Sequence, residues 1–142
     1  MAKLEISGMD DLNAAFGRIK AIPHDVTSRA LASMADIAAR EIRLSGESMG
    51  VYDPESETHI LDKISKVKPK MTEEGGYQDI TFAGTRVRGN KRVRNAEIAF
   101  INEYGKRNQP ARPFIGKAMT ANDKKMADAA ADVLGDWLEK TF

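Results

Sequence analysis

Apolar residues at helical spacing dominate the first third of the chain. A short helix that ends at Pro23 is predicted from three of them: Leu12, Phe16 and Ile19. A longer helix is predicted to begin at Asp25 or Thr27. The residues of its apolar stripe are Val26, Ala30, Met34, Ile37 and Ala38. Its opposite face is charged, as is typical of a solvated side.

The middle of the chain alternates between loop signals and short apolar segments. Residues 45–58 are small and polar, contain Gly46 and Gly50, and predict a surface loop. Residues 59–67 regain apolar spacing, which predicts a turn of helix leading into a strand. Lysines alternate along residues 66–70, as expected for an edge segment, and Gly75-Gly76 predicts a turn.

Two strands, 77–87 and 93–104, are predicted to form a hairpin around Gly89-Asn90. A two-residue turn would set Phe82 opposite Glu97, whereas a loop centred on Asn90 pairs apolar residues with each other. These pairs are Phe82 with Ile98, Ile80 with Phe100, and Val87 with Val93. Because a slip of one residue reverses the face of every side chain, burial favours the second register. We therefore expect a three-residue loop or a bulge, with Gly84 as the bulge site.

Residues 97–118 are predicted to form a strand, a stiff loop and the start of the last helix. Pro110 and Pro113 restrict the backbone of the loop, and the helix is expected to begin at or near Pro113. Its apolar stripe is Ile115, Met119, Met126, Val133 and Trp137, joined by Ala118, Ala130, Leu134 and Leu138. Arg112 is a poor N-cap, so the first amides need another acceptor, either Glu103 folding back or an anion from another chain.

Charge is segregated along a chain whose net charge is only +1. The predicted register sets Arg86 opposite Arg94 and Arg88 opposite Arg92. Basic residues form two groups: Arg86, Arg88, Lys91, Arg92 and Arg94 at the hairpin, and Lys106, Arg107 and Arg112 beside the last helix. An acidic stripe on that helix comprises Asp128, Asp132 and Asp136. Each set is either a solvated surface or a contact surface. The basic hairpin would suit phosphate or a carboxylate-rich protein surface. A contact between the hairpin of one copy and the acidic stripe of the next would be head-to-tail and would form a ring if the rotation closes.

The composition of the chain does not indicate an enzyme. The chain has no cysteine, and its two histidines, His24 and His59, lack the spacing of a metal pair. No catalytic residue, cofactor or metal is predicted. No apolar run reaches the length of a membrane span, and no apolar signal core opens the chain, so we expect a soluble, unprocessed protein without a membrane partner.

The sequence resembles the tail-completion, or head–tail joining, proteins of long-tailed double-stranded-DNA phages and prophages. The distinctive residues are Glu103, Tyr104 and Gly105, then Pro110, Ala111, Arg112, Pro113 and Phe114 entering a C-terminal helix. Residues 6–12 and 57–64 are also similar to the family's opening and mid-chain stretches. The chain departs from the family at His59, where glycine is expected, and at Lys106, where threonine often follows the glycine.

The resemblance implies a non-enzymatic structural protein of the virion, located at the neck or upper tail and in the host cytoplasm before assembly. It implies a homo-oligomeric ring that contacts the connector and the tail-tube or tail-terminator proteins, with basic groups that face a neighbouring subunit or DNA in the channel. The expected fold is one α+β domain, residues 1–142, with long helices packed on a small antiparallel sheet and a protruding basic hairpin. The alternatives are a small nucleic-acid-binding module that uses the arginine-rich hairpin, and a hydrolase that uses His59 and a loop carboxylate.

Overall fold

Four α-helices, one 3-10 helix and six short strands make up the part of the chain that the computed structural model describes, residues 22–51, 59–73 and 75–141. The helices are α1 His24–Ser48, α2 Asn95–Tyr104, α3 Phe114–Ala121 and α4 Asp123–Thr141, with the 3-10 helix at Ile60–Lys63. The strands are β1 Ile64–Lys66, β2 Lys70–Thr72, β3 Gly75–Tyr77, β4 Ile80–Phe82, β5 Thr85–Arg88 and β6 Lys91–Arg94. The fold is α+β, as predicted. The short helix predicted around Phe16 lies outside the described residues.

Helix α1 is the longest element and packs against α3 and α4. It begins after Pro23, whose carbonyl accepts the amides of Val26 and Thr27 at 3.0 and 3.2 Å. Its buried residues recur at helical spacing and are Val26, Ala30, Ala35, Ala38, Ile42 and Gly46. Val26, Ala30 and Ala38 of the predicted stripe are therefore buried, and Met34 and Ile37 are half-buried at its margins. The helix begins at His24, before both predicted starts, Asp25 and Thr27, and no side chain caps it.

The end of α1 differs from the prediction because residues 45–48 are helical. Gly46 lies where α1 touches the core, and a Cβ at this position would come within 2.6 Å of Leu61 Cδ2 and 3.2 Å of Phe114 Cδ2. The glycine therefore permits close packing inside the helix instead of marking a loop. The helix ends at Ser48 with Met49 as its C-cap, and Gly50 follows with a positive φ of 76°.

The apolar core lies where α1, the 3-10 helix, β4, α2 and α3 meet. Its buried residues are Ile42, Val51, Ile60, Leu61, Phe82, Ile98, Ala99, Phe114 and Ala118. The Phe114 side chain is fully buried and meets Phe82 edge to face, with ring centroids 6.0 Å apart. The core therefore fixes the start of α3, which places the loop before it.

The described strands pair as three separate two-stranded antiparallel ribbons. The pairs are β1 with β4, β2 with β3, and β5 with β6. Phe82 lies opposite Ile64, so the predicted pairing of Phe82 with Ile98 is wrong. Gly75 and Gly76 belong to β3 and do not form the predicted turn. The predicted turn of helix followed by a strand is confirmed by the 3-10 helix and β1.

Residues 95–104 form helix α2, which corrects the predicted strand. Asn95, Ile98 and Ala99 are buried at positions i, i+3 and i+4, whereas Phe100 is 61% exposed. The strand prediction assumed that Ile98 and Phe100 share a buried face. Helical spacing instead separates them, because residues two apart on a helix point in different directions.

The predicted last helix begins next to Pro113, as expected, but is divided at Asn122 into α3 and α4. The Asn122 side chain donates to the Ala118 carbonyl at 2.8 Å, and its own carbonyl accepts the Met126 amide at 3.0 Å. Asn122 thus satisfies backbone groups of both helices. Ala118 and Met126 are buried, whereas Met119, predicted on the apolar stripe, is 39% exposed.

Candidate assembly interface

The basic hairpin consists of β5, β6 and the Gly89-Asn90 turn. Arg88 pairs with Lys91 across a two-residue turn, and Gly89 has a φ of 62°, in the region that favours glycine. The predicted three-residue loop is therefore wrong, as is the pairing of Arg86 with Arg94. The chain becomes helical at Asn95, directly after β6. The hairpin therefore has no buried cross-strand pairs beyond Arg94 that could favour a different register from the one the turn sets.

The five cations of the basic hairpin lie on two faces. Cross-strand partners share a face and neighbours along a strand alternate. The inner face therefore comprises Arg86, Arg88, Lys91 and Val93, and the outer face comprises Thr85, Val87, Arg92 and Arg94. On the outer face, Arg92 Nη1 donates to Thr85 Oγ1 at 3.2 Å. Val87, beside these arginines, is 65% exposed.

Asn95 anchors the base of the hairpin to the core. Its side chain is buried, donates to the Ala83 carbonyl at 2.8 Å and accepts from Arg86 Nε at 2.7 Å. The backbone N–H of Asn95 donates to the Gly84 carbonyl at 3.0 Å. Gly84 lies between β4 and β5 with a φ of 81°, so it forms a turn into the hairpin and not the predicted bulge within a strand. Asn95 thus fixes, through its side chain and its backbone, the direction in which the hairpin leaves the core.

Glu103 caps helix α3 across the intervening loop. Its Oε2 accepts the amide of Ile115 at 2.8 Å and its Oε1 accepts the amide of Gly116 at 2.9 Å. Pro113, which precedes the helix, makes no side-chain cap. The predicted return of Glu103 to the first amides of the last helix is therefore confirmed.

The loop between α2 and α3 is folded onto the end of α2. Lys106 and Gln109 exchange backbone hydrogen bonds of 2.9 and 3.0 Å, and the Arg112 amide donates to the Asn102 carbonyl at 2.6 Å. Gly105 has a φ of 77°, and a Cβ there would lie 2.8 Å from the Ala111 nitrogen. Glycine is therefore required both for the conformation and for the space.

The two basic groups converge at a cleft of about 520 Å³. Arg88 from the hairpin lines it together with Lys106 and Arg112 from the loop, over a floor that includes Ile98 and Ile101. Arg112 is held by Nη1, which donates to the Gly50 carbonyl at 2.9 Å. Arg107, in contrast, lies exposed at the loop tip. The sequence alone does not predict that residues 88, 106 and 112 share one cleft.

The outward side of α2 carries an exposed aromatic pair. Phe100 and Tyr104 lie one turn apart, with ring centroids 4.7 Å apart, and are 61% and 69% exposed. A second groove of about 450 Å³ beside them is lined by Arg94, Glu97 and Phe100, among others. Of the two motif aromatics, Phe114 is fully buried in the core, whereas Tyr104 lies at the surface.

The acidic stripe of α4 lies on the solvent side. Asp128, Asp132 and Asp136 are all exposed. Lys124 Nζ contacts Asp128 at 3.4 Å, and within residues 22–51, 59–73 and 75–141 no ion pair involves Asp132 or Asp136. Lys125 instead reaches Glu41 of α1 at 3.2 Å. The stripe is therefore only partly neutralised by its own helix.

His59 has a structural role at the start of the 3-10 helix. His59 Nδ1 accepts the amide of Leu61 at 3.2 Å and so caps the 3-10 helix. Asp53 and Glu55, two carboxylates of the loop predicted at residues 45–58, lie outside the described ranges. Where the structure describes the chain, no group of three or more metal-ligating side chains is present, and no helix is long and apolar enough to cross a membrane.

Comparisons with protein-family models, with curated proteins and with solved structures were made for the whole sequence. No family model, curated protein or solved structure matches the chain.

Proposed function

We propose that this chain is a structural virion protein that completes or joins the tail of a long-tailed double-stranded-DNA phage at the head–tail interface, as a ring of copies. The observation that carries the proposal is the Glu103 cap on α3. It ties together the two halves of the motif that resembles the tail-completion family, residues 103–105 and 110–114.

Three residues of that motif have structural roles. Glu103 caps α3, Gly105 adopts the conformation that lets the loop turn back, and Phe114 fills the core. Tyr104 is left at the surface. A motif that builds a rigid framework and exposes an aromatic residue fits a protein whose task is to present surfaces to neighbouring subunits.

The segregation of charge supports assembly with copies of itself. The hairpin and loop present cations, whereas α4 presents Asp132 and Asp136. On an almost neutral chain, such opposed surfaces favour a head-to-tail contact over repulsion between copies. Residues at the cleft rim, Lys106 and Arg112, would then face either the next subunit or DNA in the channel.

Genetics tests the proposal directly. In the phage or prophage that carries the gene, flanking genes should encode the portal, capsid, connector and tail-tube proteins. A nonsense codon at Lys106 should yield filled heads and free tails in negative-stain images of the lysate, because the two parts are not joined. A plasmid copy of the wild-type gene is the control and should restore joined particles. Intact infectious particles from the nonsense mutant would contradict the proposal.

The runner-up is a small nucleic-acid-binding module that uses the basic hairpin. Its support is the concentration of five cations in ten residues. Against it, Arg86 bonds inward to Asn95 at 2.7 Å. Titration with duplex DNA at two salt concentrations separates the two functions, since tight binding by a monomer with a steep salt dependence would favour the module.

A further inference from the structure

A continuous track of exposed residues runs from the basic hairpin onto α2. The outer face of the hairpin supplies Arg92 and Arg94, Arg94 bonds to Glu97 of α2, and the aromatic pair Phe100 and Tyr104 follows. The groove beside α2 is bordered by Arg94, Glu97 and Phe100, so the hairpin and the helix belong to one surface. We call these five residues the outer track.

The composition of the outer track is that of a protein-binding surface. Two adjacent aromatic rings that are both more than half exposed leave apolar area in water, which monomeric surfaces normally limit. Aromatic residues and arginine are also the types most often found at the centres of interfaces. The track is therefore better suited to a protein partner than to solvent.

Helix α4 has the complementary features. Ala127 and Ala131 are exposed, and a Cβ at Gly135 would meet no atom within 4 Å, so residues 127, 131 and 135 form an open row of small side chains. The acidic stripe runs directly beside this row. Large rings on one surface and small residues on the other permit close approach, and the charges beside them are opposite in sign.

The spacing of the charges also agrees. Arg92 and Arg94 are two residues apart on one face of a strand, which separates them by about 6.6 Å. Asp132 and Asp136 are four residues apart on a helix, which separates them by about 6 Å along its axis. A strand and a helix can therefore align two ion pairs side by side.

We propose that the outer track of one copy binds α4 of a second copy, with Arg92 and Arg94 against Asp132 and Asp136, and the aromatic pair over the row of small residues. This inference rests on the proposed function, because it supplies the contact between subunits of the ring. The contact is head-to-tail: each copy uses its outer track on one side and α4 on the other, so it repeats until the rotation closes.

Reciprocal charge reversal tests the pairing. One variant carries Arg92→Glu and Arg94→Glu, and the other carries Asp132→Lys and Asp136→Lys. Each variant alone sets like charges at every contact and should sediment as a monomer at concentrations where the wild type associates. An equimolar mixture restores opposite charges at both kinds of contact and should assemble into species with an even number of subunits. Assembly on mixing also shows that both variants are folded.

The matched control is Lys68→Glu with Lys70→Glu, which makes the same charge change at two exposed residues away from the hairpin, Lys68 between β1 and β2 and Lys70 in β2. This control should associate like the wild type. Continued association of either reversal variant alone, failure of the mixture to assemble, or a wild type that stays monomeric at every concentration would each overturn the inference. The last outcome includes the case in which the track binds a different protein.

The aromatic pair gives an independent measurement. Phe100→Ser should weaken association by about thirtyfold, the effect of a residue at an interface centre, as measured by sedimentation velocity. Tyr77→Ser, at a 45% exposed aromatic residue on β3, should leave it unchanged. If Phe100→Ser leaves association intact, this interface is wrong. The proposed function fails by a different result, when the nonsense mutant still produces joined particles.

Discussion

Removal of the Glu103 carboxylate is the most direct test of how the motif holds the fold together. In the Glu103→Ala variant the amides of Ile115 and Gly116 lose an acceptor that bonds them at 2.8 and 2.9 Å. Pro113 contributes no side-chain cap, so nothing else at that helix start replaces the carboxylate except water. We expect the free energy of unfolding to fall.

The size of the loss follows from the two bonds. A hydrogen bond to a charged group contributes about 1.5–3 kcal/mol, and loss of a helix cap costs about 0.5–2 kcal/mol. Glu103 is only half-buried and water reaches the exposed amide of Gly116, so the lower part of the range applies. We expect Glu103→Ala to lower the free energy of unfolding by about 2 kcal/mol, measured by urea denaturation with far-ultraviolet circular dichroism.

The control residue is Glu97, which lies on α2 as Glu103 does. Glu97 also accepts hydrogen bonds, but from the exposed Arg94 side chain at 3.1 and 3.2 Å. Exposed ion pairs contribute about 0–1 kcal/mol, so Glu97→Ala should change stability by less than half as much. Equal losses in the two variants, or a loss below about 0.5 kcal/mol for Glu103→Ala, would refute the assignment of Glu103 as the cap.

Three further substitutions test the fold by the same denaturation assay. Gly46→Ala should destabilise by about 1–2 kcal/mol, because overpacking against Leu61 outweighs a helix-propensity gain of about 1 kcal/mol; Gly135→Ala, where the added Cβ meets no atom, should stabilise, and the same sign for both would contradict this. Asn95→Ala should cost about 2–3 kcal/mol, because it removes two side-chain hydrogen bonds of a buried amide, and a loss below 1 kcal/mol would show that it does not anchor the hairpin. Gly105→Ala should cost about 2–4 kcal/mol, because the residue has a positive φ and its Cβ would approach the loop backbone; an unchanged midpoint would disprove that constraint.

Much of the helical framework could be predicted from local sequence. The period of apolar residues located α1, and the absence of a cap at Arg112 pointed to Glu103 as the acceptor for the last helix. Both are local arguments, since one depends on spacing along a single helix and the other on an unsatisfied helix end. Predictions of this kind succeed when no distant contact competes with them.

The wrong predictions concern segments whose secondary structure depends on contacts with residues distant in sequence. Residues 95–104 show both alternating and helical apolar spacing, and the choice depends on Asn95, which is buried beneath the hairpin base. In the sequence Gly46 indicates a loop, because a glycine within a helix is explained only by the proximity of Leu61 in the fold. Phe100 lies one helical turn from Tyr104, so on a helix it shares a face with Tyr104 and not with the buried Ile98.

The sequence predicts which residues form the candidate surfaces, but not how those residues are placed relative to one another. The basic residues were identified, yet their division between two faces follows from a register that the Gly89-Asn90 turn sets. The convergence of Arg88 with Lys106 and Arg112 depends on the closed loop after α2. Distances between residues that are far apart in sequence determine both features.

The division of the strands into three ribbons limits how copies of this protein can meet. Each described ribbon leaves backbone hydrogen-bonding groups along its outer edges, and exposed edges of this kind are the usual templates for uncontrolled strand addition. Here every strand is only three or four residues long, and cations lie along several of them. Such edges offer few bonds to an incoming strand and repel one of like charge. In the proposed ring, contacts between copies would therefore depend on side-chain recognition and not on backbone pairing, which would continue as a fibre.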